Sequence, residues 1–482
     1  MQRLSACRHS AKRVRSCVRP IDVRAMNGST RRRRHSAVTR GVDAPRPQTH
    51  QSQRIVVCGG GIVGLTSCYF LAKQGHEVVC IEKEAHVGDS EMFHDPTLYS
   101  SWADVSLLYR KHMTTKKPAD KPFEVAAAAW LDPAFWAWGL KYMTSATARK
   151  AKDNARKCRE LCNYSERMLV ELMRKHPALD EQMEKVATGT LELFASGADK
   201  DDAWQADRIK QCLHEFQYPL HPVDTEEAAA IDPAILPDAM AGGAIFSPLG
   251  TNGDVHRTCE AMVGLCKQAG VMFRLNTEIE DLLVVDNRVV AIQTKMHELI
   301  EGDCFVLALG NDTPKMAGLA GVKLYMYPVK GHVITIDRNQ LFPPLRCNVF
   351  SASHTGTVVS PCVDGRIRIC GGAEFAGKAH GVKSVETKRV ARLVSQAKML
   401  FPDGYLDESN VHADVCLRPV SADDVPLIGQ TTVDNLFVNC GHGAKGWAQS
   451  FGAAALLADD ISGKIPAMNI DQYSPHRFGL LR

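Results

Sequence analysis

Short apolar runs alternate along the chain with stretches in which apolar residues recur at helical spacing. Near the start of this pattern, the apolar run 55–58 leads into a glycine-rich turn, an apolar-faced stretch follows, and a second apolar run ends at 82. Short continuous apolar runs are typical of buried strands, and a 3.6-residue period is typical of helices. The segment 54–82 is therefore predicted to form a strand, a glycine turn, a helix and a second strand.

The same criteria predict elements in the rest of the chain. Helices are predicted at 153–175, 199–215, 253–269 and 448–461. Strands are predicted at 190–194, 282–285, 289–294 and 304–310, with a hairpin turn at Asp286 and Asn287.

Length and composition indicate a globular protein of more than one domain. The 482 residues exceed what a single hydrophobic core usually holds, and 45% of them are apolar. No run of 18 or more apolar residues occurs, so no transmembrane segment is predicted. The segment 126–138 contains Trp130, Phe135, Trp136 and Trp138. We expect these rings to pack inside a domain, and a peripheral membrane contact is the alternative.

Charge is unevenly distributed, because the first 50 residues hold 13 Lys and Arg against two acidic residues. The remainder has 45 basic and 52 acidic side chains, a net charge of −7, which argues against a nucleic-acid partner. A leader rich in arginine and serine, poor in acids and without a long apolar core is typical of a transit peptide. Residues 1–53 are predicted to be a disordered leader that directs the protein to mitochondria. A cytoplasmic protein, or a basic segment for nuclear import, is the alternative.

The 16 cysteines are scattered, and none stands in a C-x-x-C pair, which suits a reducing compartment. Cys158 and Cys162 lie one helical turn apart with no nearby histidine or third thiol. We interpret them as the apolar side of a helix rather than a metal site, and no metal site is predicted.

The glycine turn has the spacing of a dinucleotide-binding motif. Gly59, Gly61 and Gly64 fit G-x-G-x-x-G, in which glycines allow a tight turn and close approach of a pyrophosphate to a helix N-terminus. Glu82 follows Gly64 by 18 residues, where a carboxylate accepts hydrogen bonds from an adenosine ribose and favours FAD or NAD over NADP. The residues predicted to hold the dinucleotide are Gly59, Gly61, Ile62, Val63, Gly64, Glu82 and Lys83.

Seven motifs follow one another along the chain. They are VCGGGIVG (57–64), GDVH (253–256), VLALGN (306–311), YPVKGH (327–332), RICGGAEF (368–375), CLRPVSADDVPLIG (416–429) and NLFVNCGHGAKGW (435–447). Their order resembles the FAD-dependent D-amino-acid oxidase superfamily, most closely its D-amino-acid dehydrogenase branch, over about residues 54–475. The resemblance implies bound FAD, with the backbone of Ile279 at the adenine and Gly310 beside the pyrophosphate. FAD is expected to be non-covalent, because no cysteine or histidine sits in a recognised flavin attachment motif.

Glycines also precede the last predicted helix, where unpaired N–H groups and the helix dipole favour negative charge. Reduced flavin carries negative charge near N1 and the C2 carbonyl, and the family uses this segment to stabilise it. A plain glycine turn into a buried helix is the alternative. The residues expected to contact the flavin are Gly441, Gly443, Lys445, Gly446 and Trp447.

Arg418 is the candidate for binding the substrate, because its planar guanidinium donates two parallel hydrogen bonds to a carboxylate. The matching arginine of amino-acid oxidases in the superfamily binds the substrate carboxylate over the flavin. An ion pair with Asp414 or Asp423 is the alternative. Lys330, His354 and Lys445 are the next candidates for the carboxylate, and His354 is also a catalytic candidate.

Some positions depart from the family pattern. The loop 88–96 has two extra acids and His94 where serine and asparagine are usual, which leaves the substrate open. Asp424 replaces a common glycine, and Lys445 stands where a small or apolar residue is usual. Although the matching segment contacts the flavin, we expect the Lys445 side chain to face solvent. Stabilisation of reduced flavin or contact with an acidic substrate is the alternative.

The predicted fold is α/β plus α+β: a Rossmann-like FAD-binding domain interleaved with a mixed-sheet substrate domain that carries a helical insertion. The FAD-binding domain is predicted at 54–100, 240–310 and 415–470, and the substrate domain at 101–239 and 311–414.

The resemblance implies an enzyme that oxidises an amino acid, most closely a D-amino acid, by hydride transfer to flavin N5. The imino acid would then hydrolyse to a keto acid and ammonia. An oxidase or dehydrogenase of sarcosine, glycine or a related amine, and a non-catalytic FAD-binding protein, are the alternatives. The electron acceptor is expected to be oxygen, a quinone or a flavoprotein.

Overall fold

The computed structural model describes residues 52–88, 123–145, 147–184, 186, 189–194, 206, 209–210, 212–214, 219–250, 252–351, 357–377 and 384–479. These residues belong to one unit that spans Thr49–Arg482. The predicted leader up to residue 51, the loop 89–96 and most of the predicted helix at 199–215 lie outside the described residues.

The strands of the described residues form three sheets. In spatial order, the first contains β17 (Leu427–Gln430), β18 (Leu436–Cys440), β11 (Cys304–Leu307), β1 (Arg54–Cys58), β2 (Glu77–Ile81) and β7 (Met272–Arg274). The second contains β10 (Leu299–Glu301), β9 (Arg288–Thr294) and β8 (Ile279–Val285). The third contains β16 (Leu406–Ser421), β12 (Met326–Arg338), β15 (Ile367–Phe375), β14 (Thr357–Pro361), β13 (Asn348–Ser351), β4 (Thr190–Leu193), β6 (Ala244–Ser247) and β5 (His221–Val223), with β3 (Glu124–Val125) beside β15.

The described helices are α1 (Ile62–Lys73), α2 (Ala127–Trp130), α3 (Pro133–Ser145), α4 (Ala148–Lys175), α5 (Ala178–Gln182), α6 (Thr225–Ile231), α7 (Val255–Gln268), α8 (Thr313–Leu319), α9 (Thr387–Lys398) and α10 (Gly446–Ile461). Short 3₁₀ turns lie at Pro237–Met240, Gly310–Asp312, Gly443–Lys445, Ile470–Tyr473 and Pro475–Phe478. Within the described part of the chain, none of the helices combines the length and apolar character that a membrane crossing requires.

The first sheet is parallel except for β17 and contains the predicted strand–helix–strand unit. In both β1 and β2, four of the five residues are buried, because the sheet is covered on both faces. The predicted unit is confirmed. The strand predicted at 304–310 is three residues too long, because β11 ends at Leu307 and Gly310, with φ +54°, begins a 3₁₀ turn.

Helix α10 packs against both α1 and α4. Its residues from Gly446 to Ala458 are buried, and its small glycine and alanine residues allow close contact with the neighbouring helices. A Cβ at Gly452 would lie 2.8 Å from the backbone nitrogen of Ser165, so α10 and α4 approach backbone to backbone. Cys158 and Cys162 are buried on α4, which confirms their assignment to its apolar side.

The third sheet is mixed and is built around the long antiparallel pair β12 and β16. Its interior on one face contains Ile334, Ile336 and Ile369, which pack with Leu393 and Val394 of α9. In the second sheet, β8 and β9 form the predicted hairpin. Asp286 and Asn287 occupy its turn with φ of 46° and 61°, a conformation that Asn and Asp tolerate better than most residues.

The aromatic segment is divided between core and surface. Phe135 and Trp138 of α3 are buried against Tyr327 and Phe375, and the Trp138 indole donates to the carbonyl of Val420 at 3.0 Å. Packing inside a domain is thus confirmed for these two rings, whereas Trp130 and Trp136 are about half exposed.

Candidate active site

The glycine turn between β1 and α1 has no room for side chains at two of its positions. A Cβ at Gly59, where φ is +109°, would lie 2.5 Å from the carbonyl oxygen of Ala308, and one at Gly64 would overlap the carbonyl oxygen of Gly59. Gly61 is the N-cap of α1, and among the described residues no side chain caps this helix start. The N–H groups of Ile62, Val63 and Gly64 therefore stand in the first turn of a helix whose dipole attracts a pyrophosphate.

Glu82 lies at the end of β2 with only 7% of its surface exposed. Its Oε2 accepts a hydrogen bond from the Gly60 amide at 2.6 Å, and its Oε1 accepts one from the Glu84 amide at 3.0 Å. These backbone donors hold the carboxylate beside the glycine turn, and carboxylate oxygens keep further lone pairs for ribose hydroxyls. Lys83 points to the surface instead, where its Nζ lies 3.3 Å from Asp312 Oδ2.

Ile279 and Gly310 lie next to the same unit. The amide of Thr277 donates to the carbonyl of Glu82 at 2.8 Å, which brings Ile279, the first residue of β8, close to the end of β2. A Cβ at Gly310 would meet open space, so its positive φ rather than crowding favours glycine. Asn311 donates to the carbonyl of Leu417 at 2.9 Å and ties this turn to β16.

Gly441 and Gly443 precede α10 with φ of +76° and +58°. His442 between them forms an antiparallel bridge with Val420 on β16, so the glycine segment 441–446 runs beside the strand that carries Arg418. Lys445 is the N-cap of α10, and no side chain of the described residues caps this end. The segment therefore presents a helix start to the region between β16 and the first sheet.

Arg418 crosses the face of the third sheet. Its register partner on β12 is Val329, and a Cβ at Gly331 would lie 2.9 Å from Arg418 Nη2. The guanidinium passes over Gly331, and its Nη1 is 3.4 Å from the carbonyl oxygen of Gly372 on β15. Asp423, one of the two ion-pair partners considered for Arg418, binds Arg477 through both oxygens at 2.7 Å.

A family model described as DAO, FAD dependent oxidoreductase, matches residues 54–460. The chain belongs to this family of FAD-dependent oxidoreductases. D-amino acid dehydrogenase of Paramagnetospirillum magneticum is 32% identical over 434 residues, which cover 88% of this chain and 99% of that protein. D-amino acid dehydrogenase of Methylobacterium radiotolerans is 30% identical over 437 residues, which cover 88% and 99%.

Two solved structures show the same fold at low sequence identity. L-proline dehydrogenase from P. horikoshii aligns with a TM-score of 0.65 at 18% identity and covers 89% of this chain and 98% of its own. Glycine oxidase from Geobacillus kaustophilus aligns with a TM-score of 0.63 at 20% identity and covers 88% and 99%. The predicted fold class is confirmed, whereas the boundaries of the two interleaved domains remain a prediction.

The residues of this DAO-family chain fit FAD, the family's cofactor. The crowded glycines at 59 and 64, the start of α1 and the buried Glu82 suit an adenosine and a pyrophosphate. At the other end, the indole Nε1 of Trp447 is buried with no hydrogen-bond partner among the described residues. Bound FAD would supply a hydride acceptor, and the helix start at Gly446 would favour negative charge on it.

Lys445 corrects one sequence prediction, because it does not face solvent. Only 3% of its surface is exposed, and its Nζ lies 2.5 Å from Asp424 Oδ2. The lysine is enclosed by packing around α10, and the carboxylate supplies the counter-charge that a buried ammonium requires. Asp424 has φ +63°, a left-handed conformation that glycine adopts more easily.

Of the remaining carboxylate candidates, Lys330 does not join Arg418. Lys330 alternates with Val329 and Gly331 along β12 and is directed to the opposite face of the sheet, where its Nζ lies 2.9 Å from Glu386 Oε1. His354 lies outside the described residues. Beside Lys330, burial lowers the pKa of His332 to about 4, so this imidazole is neutral at neutral pH.

Sequence reasoning missed the roles of two polar residues, His442 within the glycine segment and Asp424 beside it. His442 is buried, and its ring nitrogens lie 2.9 Å from Gln449 Oε1 and 3.0 Å from Asn439 Oδ1. Burial lowers the pKa of His442 to about 4, so it serves as a neutral hydrogen-bonding group. Asp424 was recognised only as a departure from the family pattern. The opposite charges of Asp424 and Lys445, two departures from the family pattern, are the one sequence feature consistent with their pairing, although they do not show that the pair is buried.

Proposed function

We propose that the protein oxidises the amine-bearing carbon of a D-amino acid to an imino acid, which water hydrolyses to a keto acid and ammonia. The observation that carries the proposal is the position of the Arg418 guanidinium. It extends from β16, the strand that borders the glycine segment, and lies over Gly331 of β12. The relatives of about 30% identity named D-amino acid dehydrogenase support the substrate class.

In this proposal, Arg418 binds the substrate carboxylate through two parallel hydrogen bonds and fixes the orientation of the α-carbon. Positioning of this kind supplies a large share of catalysis, because the reacting atoms no longer have to find one another. A substrate amine that binds neutral needs no side-chain base. The role of the protein is therefore to bind, to orient and to exclude water.

Two other functions remain as alternatives. Oxidation of glycine, sarcosine or a related secondary amine is favoured by the fold similarity to glycine oxidase and L-proline dehydrogenase. A non-catalytic FAD-binding protein is the third. An anaerobic panel of D-amino acids, their L-enantiomers, glycine, sarcosine and proline distinguishes them by loss of the flavin's visible absorbance. Reduction by D-enantiomers alone is expected, and a flavin that no amine reduces would overturn the proposal.

The electron acceptor is proposed to be oxygen, a quinone or a flavoprotein. Two stopped-flow experiments distinguish oxygen from a quinone. In one, the substrate-reduced protein is mixed with air-saturated buffer, and in the other it is mixed with a soluble quinone under anaerobic conditions. Slow reoxidation by both would favour a protein acceptor.

We propose that the outer face of α2 and α3 contacts an anionic membrane surface. Trp130, Leu131, Trp136, Leu140 and Met143 are between 47% and 85% exposed. The last three follow one another at spacings of four and three residues, so they share a face of α3. Adjacent exposed tryptophans and aliphatic side chains are typical of interfacial helices.

Charge supports a lipid partner for this face rather than a second copy. Residues 126–152 contain four basic side chains and one acid, Asp132, which accepts a hydrogen bond from the Tyr327 hydroxyl. Lys150 of α4 donates to the carbonyl of Thr144 beside Met143, so positive charge borders the apolar face. Basic groups near an anionic bilayer contribute about 1 kcal/mol each.

Co-sedimentation with vesicles tests this contact. A triple variant, Trp136→Ser, Leu140→Ser and Met143→Ser, is expected to lose binding to vesicles that contain phosphatidylglycerol. Leu341→Ser, which changes a 91% exposed side chain elsewhere, is the control and should bind as the parent does. Equal binding of the triple variant, or self-association through this face in ultracentrifugation, would contradict the lipid contact.

We also propose that residues 1–53 direct the protein to mitochondria. The arginine- and serine-rich composition of this segment supports the proposal. A fusion of these residues to a fluorescent reporter should co-localise with a mitochondrial stain. A cytosolic or nuclear signal would contradict it.

A further inference from the structure

A buried ion pair joins Lys445 of the glycine segment 441–446 to Asp424, which lies in the turn after β16. Lys445 is 3% exposed and the Asp424 side chain 12%, and their charged atoms are 2.5 Å apart. The two residues belong to different elements of the chain. Asp424 lies in the turn between β16 and β17, and Lys445 lies at the start of α10. Removing one partner of a buried pair usually costs much more than removing both.

The pair touches the glycine segment itself. A Cβ at Gly443 would lie 3.3 Å from Asp424 Oδ1, so the carboxylate packs against the backbone of the segment expected to contact the flavin. Helix α4 covers the turn, where the Cys158 thiol lies 3.2 Å from the carbonyl oxygen of Asp424. The pair is therefore enclosed on one side by α4 and on the other by the glycine segment.

The same turn continues from the strand that carries Arg418. Val420 bridges His442, and Ser421 donates to the carbonyl of Val425 at 2.7 Å, which closes the turn around Asp424. A change in the distance between Asp424 and Lys445 would thus move the glycine segment relative to β16. One ion pair connects the proposed carboxylate site with the flavin-facing backbone.

We propose that Lys445 and Asp424 act together as a positioning pair, which holds the glycine segment against the Arg418 strand and keeps the net charge behind the flavin near zero. The proposal rests on FAD binding at this segment and not on the identity of the substrate. Lys445 then acts on the flavin through position and field, and does not bind the substrate carboxylate.

A difference in sign separates this role from simple structural support. Lys445→Met leaves a buried carboxylate near the flavin, which disfavours anionic reduced flavin and should lower its midpoint potential. Asp424→Asn leaves a buried ammonium and should raise it, while asparagine tolerates the left-handed backbone at this position. Uptake or loss of a proton by the unpaired group would shrink either shift without reversing it.

The experiment compares the parent, both single variants and the double variant Lys445→Met/Asp424→Asn. Midpoint potentials are measured by dye equilibration during chemical reduction, and FAD dissociation constants by titration of the apoprotein. We expect opposite shifts of the midpoint potential in the two single variants and about tenfold weaker FAD binding in each. A tenfold change is within the range of interaction energies found for residues in contact. The double variant should return towards the parent in both measurements.

Lys398→Met is the matched control, because Lys398 forms an ion pair with Glu408 at 2.6 Å in which both side chains are about half exposed. It should change neither the potential nor FAD binding. Lys445→Arg, which keeps the charge, should retain most of the parent potential.

Potential shifts of the same sign, or no shift in single variants that bind FAD, would overturn the proposal. If the single variants bind no FAD, the double variant decides: restored binding supports a coupled pair, and absent binding contradicts it. Neither measurement uses an amino acid, so a failure of the proposed substrate would leave this result standing.

Discussion

At the scale of single residues, Arg418 depends on a glycine in the neighbouring strand. Its guanidinium occupies the space that a side chain at position 331 would fill, with 2.9 Å between a built Cβ and Nη2. The arginine can therefore lie flat across β12 and reach β15. A long cation held in one direction loses little additional freedom when it binds a carboxylate.

Arg418→Ala is expected to lower kcat/KM for the amino-acid substrate by roughly a hundredfold to several thousandfold. Loss of one partner of a buried ion pair costs about 3–5 kcal/mol, and each ~1.4 kcal/mol is a factor of ten. FAD content should stay near that of the parent, because Gly59 and Glu82 follow strands of another sheet. Stopped-flow flavin reduction over a range of substrate concentrations measures the effect.

Two further variants sharpen this test. Arg418→Lys should recover part of the loss, because an ammonium keeps the charge but not the planar fork. Gly331→Ala should raise KM with the charge intact, since the added methyl displaces the guanidinium. An alanine variant at 418 with unchanged concentration dependence would assign Arg418 a structural role.

Histidine burial predicts how stability depends on pH. Burial lowers the pKa of His442 to about 4, below the ~6.5 of an exposed histidine. Between these values the unfolded chain binds more protons than the folded one. The contribution of His442 to the free energy of unfolding is therefore complete above pH ~6.5 and is lost as the pH drops towards 4. For this residue the loss is on the order of 3 kcal/mol, and His332 acts in the same direction.

Urea unfolding at pH 7 and at pH 5 checks this expectation. His442→Gln should show a smaller loss between the two pH values than the parent, even if it is less stable at both. Equal losses in parent and variant would mean that His442 does not contribute.

At the scale of elements, the close approach of α10 and α4 supports the glycine segment from behind. Both helices meet at Gly452, where backbone lies opposite backbone. A helix pair this close tolerates no side chain, because neither backbone can move aside alone. The start of α10, and with it Lys445 and Trp447, takes its position from this contact.

Gly452→Ala is expected to destabilise the protein by about 1–3 kcal/mol, as overpacking of a tight interface does. Alanine otherwise favours a helix over glycine, so the sign is opposite to intrinsic propensity. Gly264→Ala in α7, where a Cβ meets open space, is the control and should be neutral or stabilising. Unfolding midpoints in urea decide between the two, and a stabilised Gly452→Ala would contradict the packing.

At the scale of the whole molecule, FAD connects segments that are distant along the chain. The predicted contacts lie between residues 59 and 83, at 279 and 310, and between 441 and 447. A ligand that binds only the folded state stabilises it, by about 2.7 kcal/mol at a concentration a hundredfold above its Kd. Loss of FAD should therefore lower the free energy of unfolding of the whole fold.

Purified protein is expected to be yellow, and acid precipitation should release the colour into the supernatant. Apoprotein prepared by dialysis should melt roughly 3 °C lower, and added FAD should restore the parent Tm. Colour that stays in the pellet would contradict non-covalent binding. An unchanged Tm would mean that the predicted contacts do not span the fold.

Features that depend on neighbours within a few residues can be predicted from the amino-acid sequence. Local backbone geometry requires the glycines at 59 and 64. The hydrophobic pattern predicts the strand that precedes these glycines and the strand that leads to Glu82, and these elements are confirmed. The hairpin turn at Asp286 and Asn287 is of the same kind. Motif order was enough to assign the family, and it made Arg418 the candidate for the substrate carboxylate, which stays a prediction.

The surroundings of the polar side chains depend on how distant segments pack in the folded chain. No local pattern shows that Lys445 turns inward to Asp424, that His442 is enclosed by Asn439 and Gln449, or that Arg418 passes over a glycine of β12. A charged side chain near a helix start is exposed in most contexts, and only the close packing of α4 on α10 buries this one. Burial of a charge requires a partner, and the partner comes from wherever the fold brings another strand or turn within reach.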